Sequence, residues 1–191
     1  LMKLKSMTLL CVCIFSSGNT QQLLPSRPVA TYSIIAMDKT TGQLGVAVQS
    51  HWFSVGFLVP WAKAGVGAVA TQSFVKVDYG PEGLKLMESG MTATEVLRIL
   101  TSQDDGEDLR QVGMIDFNGN VAVHTGKRCI EHAGHVTGDN YSVQANMMAN
   151  ATVPKAMANA FENSKGDLAD RMMAALEAAE GEGGDIRGKQ S

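Results

Sequence analysis

The chain has 191 residues, of which 45% are hydrophobic and 18% are charged, so it is long enough for one globular domain with a real core. Residues 1–30 contain three basic residues and no acidic residue, so the net charge of −3 for the whole chain becomes −6 for a chain that begins at Thr31. An acidic chain without clustered Lys and Arg argues against a nucleic-acid partner and against polybasic attachment to a membrane.

The first segment, LMKLKSMTLLCVCIFSSGNT, has the order of a secretory signal peptide. Two lysines precede an apolar run that is too short to span a bilayer, and small residues follow it. We therefore predict a leader over residues 1–30 and a secreted or periplasmic mature chain that is not bound to a membrane. In that mature chain Cys129 is the single thiol, so no intrachain disulfide is expected.

Strand patterns come next. Residues 32–38 and 44–50 are rich in strand-forming residues and flank the turn sequence DKTTGQ, which predicts a hairpin. The aromatic-rich stretch 51–61 is predicted as a loop. The glycine-containing stretch 64–74 then predicts a third strand.

The pattern changes to helices after this third strand. Pro81 lies near a predicted helix start, and Gly90 marks its end. Thr92 and Glu95 form a capping-box pattern before an apolar run, which predicts a second helix to about Ser102.

Strands and helices then alternate once more. Asn118-Gly119 between alternating apolar positions predicts a hairpin over 110–126, and 141–148 predicts one more strand. Residues 153–164 and 167–184 carry apolar residues at three- and four-residue steps, which predicts two helices. The order of strands, helices, strands and helices favours a layered α+β domain.

Thr31 stands where the leader gives way to the first strand. An N-terminal threonine can attack a carbonyl through its hydroxyl while its own α-amine accepts the proton. The ordinary pKa of an α-amine, about 7.7–8.0, suits this role. The mechanism requires cleavage between Ala30 and Thr31, whereas cleavage after Gly18 would leave Thr31 internal, as an ordinary strand residue.

Polar residues recur at the predicted strand ends, in QSH at 49–51, TQS at 71–73 and QAN at 144–146. Such residues form turns and caps, but they also place short polar groups at the rim of a sheet. Asn146 is a candidate oxyanion donor through its amide. Asp185 and Arg187, in GGDIRG, either hold a glycine-rich turn together or bind a substrate carboxylate.

The segment HTGKRCIEHAGH offers a metal-binding alternative. Cys129, His132 and His135 follow at three-residue steps, which superficially resembles zinc-ligand spacing. The surrounding residues are predicted as loop, so the segment is interpreted as a small buried thiol with surface histidines, and no metal or cofactor is expected.

Several blocks occur together in one order, among them TYSIIAMDKTTGQLGVAVQS, VGFLVPWAKAGVGAVATQS, YGPEGLKLMESG and AGHVTGDNYSVQANMM. Over residues 31–191 they closely resemble domain-of-unknown-function family 1028, an Ntn-hydrolase-like family. The resemblance implies a four-layer αββα sandwich that here stops before its last strand. It also implies that Thr31 is the residue corresponding to an N-terminal nucleophile.

The resulting hypothesis is an N-terminal-nucleophile hydrolase of a small amide or peptide-like bond that works without a cofactor or a metal. Thr31 and Asn146 are its predicted catalytic residues, and Ser50, Ser73, Asp185 and Arg187 are predicted to orient the nucleophile or bind substrate. A homodimer is compatible with this hypothesis. The alternative is a non-catalytic binding module that keeps the same scaffold.

Overall fold

Eight strands form two four-stranded antiparallel sheets in the computed structural model, which describes residues 31–189. The first sheet contains, in spatial order, β2 (Gln43–Ser50), β1 (Thr31–Asp38), β8 (Tyr141–Asn146) and β7 (Gly134–Gly138). The second contains β3 (Pro60–Lys63), β4 (Gly67–Ser73), β5 (Arg110–Asp116) and β6 (Val121–Thr125).

Four α-helices cover the outer faces of the two sheets. They are α1 (Tyr79–Glu88), α2 (Ala93–Ser102), α3 (Val153–Asn163) and α4 (Leu168–Gly181), with short 3₁₀ turns at Val55–Phe57 and Glu107–Leu109. The helices α1 and α2 pack on the second sheet, and α3 and α4 pack on the first. The sheets face each other across a third core, so the layers follow the order α, β, β, α.

Alternation along β1 explains how one strand serves two of these cores. Tyr32, Ile34 and Ala36 pack against α3 and α4, whereas Ile35 lies in the core between the sheets. Successive side chains of a strand point to opposite faces. The side chains of Thr31 and Ser33 therefore lie on the face of β1 that looks toward the second sheet.

Most of the predicted elements are present. All four predicted helices exist, and the capping box that begins α2 is complete: Thr92 Oγ1 accepts from Glu95 N at 3.3 Å, and Glu95 Oε2 accepts from Thr92 N at 2.9 Å. The Asn118-Gly119 turn joins β5 and β6 as predicted, with φ +84° at Gly119. The α+β class and the layered arrangement are confirmed.

Two short edge strands were not predicted. The strand β3 begins within the stretch 51–61, which was predicted as a loop, and β7 begins within the AGH segment, which was also predicted as a loop. Each has five residues or fewer and pairs on one side with a longer neighbour, β4 or β8. Their strand geometry thus comes from the partner strand and not from their own sequence pattern.

The predicted leader, residues 1–30, lies outside the described residues. Among the helices of residues 31–189, none has the length and apolar character needed to cross a membrane.

Candidate functional site

Thr31 is the first residue of β1, a strand in the interior of its sheet. It stands opposite Ser50 of β2 on one side and Asn146 of β8 on the other. All three residues are buried. The Thr31 hydroxyl donates to Ser50 Oγ at 3.3 Å, and Ser50 Oγ also accepts from Trp52 N at 3.0 Å. The structure therefore brings together three of the six predicted site residues.

Three amide side chains lie together at the carbonyl oxygen of Thr31, and we name them the amide cluster. They belong to Gln72, Gln111 and Asn146. Gln72 Nε2 and Asn146 Nδ2 donate to Thr31 O at 3.3 and 3.4 Å. The same two nitrogens donate to Gln111 Oε1 at 2.7 and 3.1 Å. Both hydrogens of each amide nitrogen are thus used, one on Thr31 and one on Gln111.

Gln111 anchors the amide cluster to both sheets. It belongs to β5 of the second sheet, and its Nε2 lies 3.0 Å from Thr125 Oγ1 of β6. The same nitrogen also contacts the carbonyl oxygens of Gly134 at 3.1 Å and Ala145 at 3.0 Å, in β7 and β8 of the first sheet. Gln111 by itself therefore links four strands, β5, β6, β7 and β8, at the end of the sandwich where Thr31 lies.

A second polar row lies one step further into the sandwich. Ser33 Oγ donates to Gln144 Oε1 at 2.8 Å, and Gln144 Nε2 donates to Ser142 Oγ. Gly113 faces this row, and a Cβ added there would lie 2.5 Å from Gln144 Nε2. Glycine at 113 thus allows the buried glutamine to fit between the sheets.

Two oxygens of the amide cluster have no hydrogen-bond partner within residues 31–189. They are Gln72 Oε1 and Asn146 Oδ1, and both residues are fully buried. Buried polar atoms are normally paired, because an unpaired amide oxygen keeps the full cost of its lost hydration. Both oxygens belong to amides whose nitrogens contact Thr31.

Ser73 does not join this group. It stands opposite Arg110 of β5, and its hydroxyl makes no hydrogen bond with Thr31 or the amide cluster. Its φ of +69° is unusual for a residue with a side chain. The residue of β4 that contacts Thr31 is thus Gln72.

Asp185 and Arg187 form a turn near the end of β2. The buried Asp185 carboxylate accepts from Arg187 N at 2.9 Å, Arg187 Nε at 3.0 Å and Arg187 Nη2 at 2.9 Å. It also accepts from the backbone N–H of His51 at 3.2 Å, one residue beyond Ser50. This geometry favours the interpretation in which the pair holds a glycine-rich turn.

The same contacts determine the charge of Asp185. Burial by itself raises the pKa of this carboxyl, but the hydrogen bonds and charge of Arg187 outweigh it, so the pKa is lowered. A carboxyl with a lowered pKa stabilises the fold above its unfolded-state pKa of about 3.9, and this stabilisation is lost as the pH falls through the folded-state pKa.

We expect Asp185→Asn to lower the free energy of unfolding at pH 7 by about 2 kcal/mol, because it leaves Arg187 without its charged acceptor. The difference from wild type should shrink in urea denaturation below about pH 4. Asp139→Asn is the matched control, because the Asp139 side chain is 92% exposed and its ion pair with Lys39 Nζ is long, at 3.8 Å. An equal loss in both variants would contradict the prediction.

The proposed zinc ligands are not brought together. Residues 31–189 contain no group of three or more His, Cys, Asp or Glu side chains that could hold a metal ion. Cys129 Sγ donates to Arg110 O at 3.3 Å, and burial raises the pKa of its thiol. His135 Nδ1 lies 2.8 Å from Thr125 Oγ1.

Gln72 and Gln111 were not predicted from the sequence as residues of the candidate site. Gln72 lies within the TQS segment, whose polar character was noted, but Ser73 was selected from it. Gln111 begins RQVGMID, where a single glutamine before an apolar strand resembles a surface residue. Counting strand positions from the apolar residues Ala68 and Ala70 would have placed Gln72, not Ser73, on the face between the sheets.

The comparisons with known proteins agree with the resemblance seen in the sequence. Residues 31–191 match the model of a family of unknown function, DUF1028. The chain belongs to the DUF1028 family. A crystal structure from the same family, of protein SPO2555 from Silicibacter pomeroyi, is 33% identical, with a TM-score of 0.77 over 80% of this chain and 70% of that one. No curated protein matches the sequence significantly.

Proposed function

We propose that this DUF1028 protein is an N-terminal-nucleophile hydrolase of a small amide or peptide-like bond, and that Thr31 is its nucleophile. The observation that carries the proposal is the position of Thr31. It begins an interior strand, its hydroxyl contacts Ser50, and its carbonyl is held by two buried amides.

The chemistry requires Thr31 to be the first residue of the mature chain. Its α-amine would then take the hydroxyl proton as Oγ1 attacks the substrate carbonyl. The same amine would return the proton to the leaving nitrogen as the amide C–N bond breaks, which leaves an ester on Thr31. A water molecule then hydrolyses this ester to release the acid and restore the hydroxyl.

The other predicted residues have supporting roles in this proposal. Ser50 orients the Thr31 hydroxyl. Backbone N–H groups and the Asn146 amide would stabilise the oxyanion. To do so, Asn146 Nδ2 would release its hydrogen bond to Thr31 O, which is long at 3.4 Å. Asp185 and Arg187 would hold the turn beside His51 in place. A secreted or periplasmic location follows from the predicted leader.

The burial of Thr31 favours the alternative of a non-catalytic binding module, because a buried hydroxyl does not meet a substrate. The hydrolase proposal therefore places two requirements on maturation. Cleavage must free the nitrogen of Thr31, and it must give a substrate carbonyl access to Oγ1.

The mature N-terminus tests the proposal. We expect the full chain, expressed in a secreting host, to yield a product whose first residue is Thr31, as identified by intact mass and N-terminal peptide sequencing. A product that begins at residue 19, with no later processing, would keep the nitrogen of Thr31 in a peptide bond. That result would exclude the mechanism and favour the binding module.

A further inference from the structure

The unpaired oxygens of Gln72 and Asn146 lie close to the backbone of Thr31. The nitrogen of each amide is within 3.4 Å of Thr31 O, and an amide oxygen is bonded to the same carbon as its nitrogen. The backbone nitrogen and carbonyl oxygen of one residue are separated by only two intervening atoms. Both amide side chains therefore lie beside the backbone of Thr31.

Gln111 fixes the orientation of the two amides. Its Oε1 accepts one hydrogen from each, and its own nitrogen is held by Thr125, Gly134 and Ala145. Reversing either amide would bring its oxygen against the oxygens of Thr31 and Gln111. The two oxygens are thus kept available as acceptors, and they require a ligand that donates hydrogen bonds.

We propose that Gln72 Oε1 and Asn146 Oδ1 accept two hydrogens of the α-amine of mature Thr31, and so hold this base in place without a charged group beside it. The inference rests on the proposed function, since it requires Thr31 to be N-terminal. In it Gln72 is a positioning residue that acts through the amine.

The neutrality of this acceptor pair has a chemical purpose. A carboxylate at either position would stabilise an ammonium group and raise the pKa of the amine, which would remove the base at neutral pH. Amide oxygens accept the same hydrogens but carry no net charge, so they raise this pKa less than a carboxylate does. Within residues 31–189, the side chains of Gln72 and Asn146 have uncharged partners throughout.

Several titratable groups lie on the elements that surround Thr31. His51 follows β2, and the turn after α4 carries Asp185 paired with Arg187. Tyr32 bonds to Glu180 on the other face of the first sheet. The second sheet and its loops contribute Arg110, which is paired with Asp104, together with Cys129, His124 and His135.

The test measures the pH dependence of Thr31 acylation. The species that begins at Thr31 is isolated from the expressed full chain and treated with a small alkyl β-lactone. Oγ1 adds to the lactone carbonyl, the ring C–O bond breaks, and the released alkoxide takes the proton, so the adduct gains the whole mass of the lactone. Intact mass gives the rate between pH 5 and 10, and peptide mapping locates the adduct.

We expect the wild-type rate to rise with a midpoint near the ordinary α-amine pKa, about 7.7–8.0. Gln72→Glu should raise this midpoint by about one pH unit or more and lower the rate at pH 7 about tenfold. Asn140→Asp is the matched control: Asn140 is also buried with an unpaired Oδ1, but it lies beyond the opposite end of β8. Its midpoint should equal that of wild type.

The outcomes separate this inference from the proposed function. A wild-type chain that begins at Thr31 but forms no adduct there overturns the proposed function. A wild type that reacts, with an unmoved midpoint in Gln72→Glu, overturns only the acceptor assignment. If Gln72→Glu does not fold, as judged by circular dichroism, Asn146→Asp places the charge on the other amide and its midpoint is interpreted in the same way.

Discussion

Thr31→Ala is expected to abolish both β-lactone acylation and amide hydrolysis, with a fall in rate of at least about a thousandfold. The variant keeps the α-amine but has no hydroxyl oxygen to attack a carbonyl. Its effect on folding should be small, since it removes one side-chain hydrogen bond, to Ser50 at 3.3 Å, worth about 1 kcal/mol. Adduct formation by mass spectrometry and release of amine from a panel of small amides measure the two activities.

Two variants make this result specific to the nucleophile. Thr31→Ser keeps a hydroxyl on an N-terminal residue and should retain measurable acylation. Ser33→Ala removes the next hydroxyl on the same face of β1, which bonds to Gln144, and should leave the acylation rate close to that of wild type. If Thr31→Ala stays folded and keeps the full activity of wild type, Thr31 is not the nucleophile.

Gln111→Met is expected to produce the largest loss of stability among substitutions at the amide cluster, about 3 kcal/mol in the free energy of unfolding. Methionine is similar in length but has no amide. It leaves one N–H donor of Gln72 and one of Asn146 without their acceptor on Gln111. The oxygens of Thr125, Gly134 and Ala145 lose the Gln111 donor. Since Gln111 is fully buried, water does not replace these bonds in the folded state.

Urea denaturation at pH 7 measures this loss, and Gln103→Met is its control. Gln103 is exposed beyond the end of α2, so the same chemical change there should alter the free energy of unfolding by no more than about 0.5 kcal/mol. Equal stability of the two variants would mean that the amide cluster does not contribute to holding the sheets together.

The elements of this fold were predictable where local chemistry determines them. Thr92 and Glu95 cap α2, Asn118-Gly119 forms a hairpin turn, and the apolar steps of 153–164 and 167–184 form two helices. Each depends on residues within a few positions of one another. The blocks shared with the family were equally visible, and membership of DUF1028 is confirmed.

The strands β3 and β7 were not predictable in the same way, because each is short and takes its strand geometry from the next strand, β4 or β8, with which it pairs. The site was partly predictable. Thr31, Ser50 and Asn146 were predicted together, and register brings them side by side. Ser73 was predicted with them, but its hydroxyl makes no hydrogen bond with Thr31 or the amide cluster.

The sequence by itself determined the class of the domain, the order of its helices and longer strands, its family and the position of the candidate nucleophile. Only the tertiary structure decided which polar residues meet at Thr31. Gln72, Gln111 and Asn146 come from three strands separated by dozens of residues, and they meet because two sheets pack face to face in one register. A shift of one residue in any of these strands would turn its amide to the opposite face.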